Sequence, residues 1–191
     1  PALADALPNR VHRSVLVAPF IQPDFVAYVL NRTDTLHIVS IPESLDALPD
    51  TTIAALDARA TAQGSPVLYQ VTDHGNPDDA YIDGIHAKLL LTENARQQSA
   101  TFVGSANATS PGWGLGQPAN VEAMVEMRPG IEIDRFVAGF IRESKTKLHP
   151  WISEYDRSAR AEPDAEKDAE RHMLAALREV AKLELTLRYD A

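Results

Sequence analysis

Apolar residues fall in short runs along most of the chain, and the spacing inside each run predicts an element. RSVLVAPFI (Arg13–Ile21) is continuous and β-rich, which predicts a buried strand broken by Pro23. PDFVAYVLNR follows with Phe25, Val26, Val29 and Leu30 at helical spacing and Asp24 in the first turn. TLHIVSI (Thr35–Ile41) predicts a second strand closed by Pro42, and PVLYQVT (Pro66–Thr72) a third. Between them, SLDALPDTTIAALDARATAQG reads as helix in pieces, interrupted at Pro49 and stopped at Gly64. GIHAKLLLTE and SATFVGSAN then predict two strands joined around Asn94–Gln98, and NVEAMVEM alternates as a further strand. EIDRFVAGFIRES places Ile133, Phe136, Val137, Phe140 and Ile141 on one helical face.

Alternating strands and helices followed by successive strands predict an α/β domain over residues 1–150, a mixed β-sheet flanked by helices on both faces. The character changes after Trp151. The segment 151–191 is first charged and then amphipathic, with Met173, Leu174, Leu177 and Val180 at helical spacing. It is expected to be a C-terminal helical extension with a solvated face, the alternative being a tether to another subunit or domain. The chain begins at Pro1 rather than Met and ends in KLELTLRYD, which alternates like a strand. Both features lead us to expect a piece of a longer protein.

Composition narrows the function. Hydrophobic residues make up 45% and charged residues 24%, the values of an ordinary globular chain. No apolar run approaches the ~20 residues of a membrane span. The absence of Cys removes disulfides, thiolate nucleophiles and cysteine metal sites, and fits a cytoplasmic location. A net charge of -9 argues against a broad nonspecific nucleic-acid footprint but leaves room for a local basic face. The loop DHGNPDD holds His74 beside Asp73, Asp78 and Asp79 and reads as solvated rather than as a metal site.

The chemistry gathers in the middle strands. His86 and Lys88 share a strand face, about 6–7 Å apart at ~3.3 Å per residue, while Ile85, Ala87, Leu89 and Leu91 share the apolar face. An imidazole beside an ammonium is a poor core and a good anion site: the lysine can hold a phosphate oxygen and the neutral imidazole is a nucleophile. Gly104 allows close backbone approach, and Ser105 and Asn107 offer small polar groups at the end of the next strand. Asn120 and Glu122 share a face farther on, and the carboxylate could fix the orientation of His86. Trp113 could stack on a base or pack its own loop, Trp151 is expected to pack at the domain edge, and Glu126 reads as surface.

The ordered set His86, Lys88, Glu93, Gly104, Ser105, Asn107, Asn120 and Glu122 resembles one HKD motif of the phospholipase D superfamily. Glu93 stands where that motif usually has Asp, and the gap from Glu93 to Gly104 is long, which suggests a wide hairpin at NARQQS. The resemblance implies metal-independent phosphodiester cleavage without a cofactor. His86, Lys88 and Glu122 would be catalytic, His86 forming a phosphohistidine. Lys88, Ser105, Asn107 and Asn120 would bind the substrate phosphate, with Glu93 and Gly104 structural. No second His-x-Lys occurs, so the site is expected to be completed by a homodimer partner or by another repeat. A nuclease acting on DNA is the leading expectation. A phospholipase or small-molecule phosphodiesterase, and a non-catalytic dimerisation or binding module, are the alternatives.

Overall fold

The computed structural model describes residues 2–61, 68–71, 85–116, 119–144 and 147–159, together with Met173. The loop carrying His74, Asp73, Asp78 and Asp79, most of the C-terminal extension and the alternating end lie outside these residues. The chain divides into two compact units, Pro1–Tyr155 and Asp156–Ala191. In the second, the Asp156 carboxylate accepts from the backbone N–H and hydroxyl of Ser158 at 2.9 and 2.7 Å, at the start of a 3-10 turn over Arg157–Ala159.

The first unit is built on a mixed sheet. Its elements run β1 (Val11–Val17), α1 (Pro23–Leu30), β2 (Thr33–Ser40), α2 (Pro42–Asp46), α3 (Asp50–Thr61), β3 (Leu68–Val71), β4 (Leu89–Glu93), β5 (Ser99–Gly104), β6 (Met124–Met127) and α4 (Ile133–Phe136). The α4 helix runs into a π-helical turn, Val137–Ile141, and three short strands follow, β7 (Arg142–Ser144), β8 (Lys147–Leu148) and β9 (Ile152–Glu154). Seven strands form one sheet in the order β6-β5-β4-β1-β2-β3-β9, while β7 and β8 pair separately. β1, β2 and β3 are parallel; β4, β5, β6 and β9 join antiparallel.

Proline sets the helix starts. Pro23 and Pro42 sit at the first turn, where a missing N–H costs nothing and the fixed φ suits the helix. Two apolar layers then sandwich the sheet. Phe25, Val26, Val29 and Leu30 of α1, with Leu45 and Leu56, cover Leu16, Leu36, Ile38 and Leu90 on one face. Ile133, Phe136 and Ile141 cover Val15, Val17, Val39 and Leu91 on the other. Helices on both faces of a mixed sheet are what the strand–helix alternation predicts. Ile85, Ala87 and Leu89 pack with Leu91 on the second face, so the alternation read from GIHAKLLL holds.

Three differences from the expected element boundaries bear on the site and the face opposite α1. The strand expected over Gly84–Glu93 is regular only from Leu89, so His86 and Lys88 precede it. The strand expected from Asn120 begins at Met124. Both stop where β5 stops: Gly104 is its last residue and pairs with Met124, leaving no partner beyond it for a longer ladder. The helix expected through Glu132–Ser144 divides into α4, the π turn and β7.

Candidate functional site

Three segments meet at one end of the sheet. Val17 of β1 pairs with Leu89 of β4, Leu89 with Val103 of β5, and Gly104 with Met124 of β6. His86 and Lys88, Ser105 and Asn107, and Asn120 and Glu122 therefore all lie beyond the same sheet edge. This is also the edge at which parallel β1 and β2 end, the usual position of ligand sites in open α/β sheets. Two backbone hydrogen bonds lock the segments together: Gly104 N–H to the Lys88 carbonyl at 3.3 Å, and Ser105 N–H to the Ala123 carbonyl at 3.0 Å.

Gly104 is required by this closeness. A Cβ placed there would lie 2.0 Å from the Ala123 carbonyl oxygen and 2.9 Å from Met124 Cα. The loop after β5 is held from the other side by the loop after β1. Ala108 N–H donates to the Phe20 carbonyl at 3.1 Å, Gln22 N–H to the Ala108 carbonyl at 2.9 Å, and Ser110 N–H to Gln22 Oε1 at 3.1 Å. These pinning contacts from Phe20 and Gln22 were not anticipated from the sequence, because they join residues far apart in the chain and carry no motif.

Lys88 Nζ lies 3.3 Å from His86 Nδ1 and donates to the His86 carbonyl at 3.0 Å. His86 is exposed and Lys88 half-buried, so imidazole and ammonium face solvent together. The Glu122 carboxylate accepts from Ser105 Oγ at 2.5 Å and from Asn120 Nδ2 at 3.2 Å. Ser105 Oγ in turn accepts from Ala123 N–H at 3.0 Å. Glu122 thus organises Ser105 and Asn120, and no hydrogen bond joins it to His86 among the described residues. Asn120 is anchored by its own N–H to the Pro111 carbonyl at 3.0 Å. Asn107 Oδ1 is buried and has no hydrogen-bond partner among the described residues.

Glu93 lies at the opposite end of β4. Its buried carboxylate accepts from Arg13 Nε at 3.0 Å and Nη2 at 2.6 Å, and Arg13 Nη1 reaches Asp134 at 2.6 Å. The guanidinium is held well above its ordinary value, first by the hydrogen bond to Asp134, with Glu93 adding and burial opposing. Asp134 is pushed below the usual carboxylate range, mainly by the same hydrogen bond. This group ties β1, β4 and α4 and is remote from His86.

Of the two readings of Trp113, packing is the one observed. The side chain is 2% exposed and stacks on Phe25 at 5.1 Å between ring centres. Trp151 stacks on His149 at 4.1 Å, and Glu126 is an exposed residue paired with Arg128. Among the described residues no group of three or more His, Asp and Glu side chains could hold a metal ion, and no helix is long and apolar enough to cross a membrane.

No family model matches the chain, and no curated protein matches it. Solved structures do. A mutant of yeast tyrosyl-DNA phosphodiesterase 1 is 18% identical with a TM-score of 0.45, covering 67% of this chain and 29% of that one. A second structure of the yeast tyrosyl-DNA phosphodiesterase is 17% identical with a TM-score of 0.44, covering 66% and 28%. The chain therefore spans less than a third of the length of these structures.

Proposed function

We propose that the chain is one phospholipase D-like repeat of a metal-independent phosphodiesterase that cleaves nucleic acid, with DNA as the first substrate to test. The observation that supports this most is the gathering of His86–Lys88, Ser105–Asn107 and Asn120–Glu122 beyond one sheet edge, locked by the bonds from Gly104 to Lys88 and from Ser105 to Ala123. An exposed imidazole beside an ammonium, at the same sheet edge as a hydroxyl and two amides, suits attack on a phosphodiester whose oxygens those groups would hold.

In this reading His86 attacks phosphorus. The N–P bond forms as the P–O bond to the leaving alkoxide breaks, and a second imidazolium gives its proton to the departing oxygen. Water then attacks the phosphohistidine, the N–P bond breaks, and the second imidazole takes the water proton. Lys88, Asn107 and Asn120 neutralise and orient the phosphoryl oxygens, and Glu122 keeps Ser105 and Asn120 aimed. The second imidazole comes from another repeat, either a second copy of this chain or a further segment of a longer protein. General acid assistance is worth about 10²–10⁴ in rate, so a lone repeat is nearly inert.

The test follows the nucleophile. Wild-type protein is incubated with a DNA oligonucleotide and with bis(p-nitrophenyl) phosphate in EDTA, and the enzyme is quenched during turnover. The expected result is turnover in chelator with an acid-labile phosphohistidine that is missing from His86→Ala. Turnover that vanishes in EDTA and returns with a divalent ion, or that survives His86→Ala, overturns the reading. If the second imidazole is the partner copy's, mixing His86→Ala with wild-type chains lowers activity as the square of the wild-type fraction. A linear fall refutes the shared site.

A further inference from the structure

The opposite end of the sheet carries a second feature. An open groove of about 1180 Å³ lies between the segments 8–11, 92–100 and 127–135. Its charged lining is Arg10, Arg128 and Arg135 against the single carboxylate of Glu132. Beside it a smaller depression adds Arg96 and His12, with Asp34 as its acid. On a chain of net charge -9, this local excess of guanidinium groups is a departure from the whole. Arg10 lies 3.7 Å from Asp34 and Arg128 pairs with Glu126, whereas Arg96 and Arg135 make no ion pair among the described residues.

The groove is built rather than incidental. One wall is fixed to β5 by Gly130 N–H to the Ser99 carbonyl at 2.9 Å, Ser99 Oγ to the Gly130 carbonyl at 2.9 Å, and Ile131 N–H to Thr101 Oγ1 at 2.8 Å. Gly130 presses so close that a Cβ would lie 2.5 Å from the backbone of Ala100 and Thr101. The other wall is the long hairpin Asn94–Gln98, whose length the sequence already marks as unusual. Asn94 Oδ1 accepts from the N–H groups of Arg96 and Gln98 at 2.9 and 3.0 Å, and Gln97 takes a left-handed φ of 61° that a non-glycine residue seldom adopts. Met127 and Ile131, 39% and 38% exposed, add apolar surface to the lining.

We infer that this groove binds a single-stranded nucleic-acid segment away from the reacting phosphate. Guanidinium groups from two segments of the groove, Arg10 and Arg128 with Arg135, extended by Arg96 of the depression beside it, match the repeated phosphates of a strand better than one compact anion. Exposed apolar side chains among them suit the faces of unpaired bases, which a duplex would hide. The volume exceeds the ~300–1,000 Å³ of ordinary small-ligand pockets. The inference goes beyond the catalytic proposal and stands without it, since a strand can bind a chain that cleaves nothing.

The experiment uses the full chain carrying His86→Ala, which prevents cleavage, and a labelled 12-nucleotide oligothymidylate followed by fluorescence anisotropy over a range of salt. Arg128→Ala and Arg135→Ala are expected to weaken binding about 3–10-fold each, and each should reduce the slope of log affinity against log salt by about 0.7. Melting curves confirm that these exposed positions leave the fold unchanged. In an otherwise wild-type chain, the double variant should hydrolyse bis(p-nitrophenyl) phosphate as wild type does. Failure of the oligonucleotide to bind, or affinity and slope unchanged in the double variant, overturns the inference. Displacement of the oligonucleotide by an equal concentration of inorganic phosphate overturns the assignment to a strand. A chain that hydrolyses nothing but still loses binding in these variants supports the inference and counts only against a site completed by a second copy of this chain.

Discussion

Gly104→Ala tests whether the close approach of β5 and β6 sets both stability and the site. The added Cβ would meet the Ala123 carbonyl oxygen at 2.0 Å, Met124 Sδ at 2.7 Å and Met124 Cα at 2.9 Å. Carbon and oxygen ordinarily approach no closer than about 3.3 Å, so the overlap with the carbonyl exceeds 1 Å by rough measure. The thioether can rotate away. The carbonyl and Cα are backbone and can move only by lifting β6 from β5, which stretches the Ser105 N–H bond to Ala123, now 3.0 Å. Forced repacking costs about 1–3 kcal/mol and the lost hydrogen bond about 1 more. The sum, roughly 2–4 kcal/mol, corresponds to a melting temperature lower by about 5–15 °C for a chain of this size. Glu122 also moves away from Ser105, so turnover of bis(p-nitrophenyl) phosphate should fall further than Ser105→Ala alone makes it fall. Urea titration and thermal melting measure the first effect and steady-state kinetics the second. A Gly104→Ala protein melting within about 2 °C of wild type would show that the strands can separate freely, and the argument for a locked site edge would fail.

Two further outcomes concern the cluster at the other end of β4. Arg13→Met leaves the Glu93 carboxylate, 4% exposed, buried without its partner, and should cost about 3–5 kcal/mol in urea titration. Adding Glu93→Gln should return at least half of that, and a loss under about 1 kcal/mol in the single variant would refute the pairing. Asp134 has a carboxyl lowered from its ordinary value of 3.8, chiefly by the Arg13 hydrogen bond. Its stabilisation is therefore complete above that ordinary value and lost as pH falls through the lowered one. Because the carboxylate is 80% exposed the effect is well under 1 kcal/mol after screening. Asp134→Asn should be less stable than wild type near neutrality and converge with it in acid; a gap that persists in acid would refute the assignment.

The layers were legible because they depend on local pattern. The β-branched run around Val15–Val17, the helical spacing of Phe25, Val26, Val29 and Leu30, and the stops at Pro23, Pro42 and Pro49 each act within a few residues. Ladder length was not legible, because a strand ends where its neighbour ends. GIHAKLLLTE reads as one continuous strand, yet β4 begins at Leu89 because β5 turns away after Gly104, a residue outside that run. The same limit hid the partner of Glu93. The resemblance predicts a structural carboxylate at this position, but only the pairing of Arg13 with Glu93 across β1 and β4 brings the guanidinium within 2.6 Å.

The site shows the same division. The order of His86, Lys88, Gly104, Ser105, Asn107, Asn120 and Glu122 is a sequence property, and the fold places these residues beyond one sheet edge because three neighbouring strands start or stop there. The hydrogen bonds among them are a register property. Glu122 reaches Ser105 because Gly104 pairs with Met124, and a shift of one residue in that pairing would move the carboxylate away from the hydroxyl. The proposed chemistry therefore depends on Gly104 as much as on His86. The glycine carries no reactive group, but it fixes the register in which the reactive groups meet.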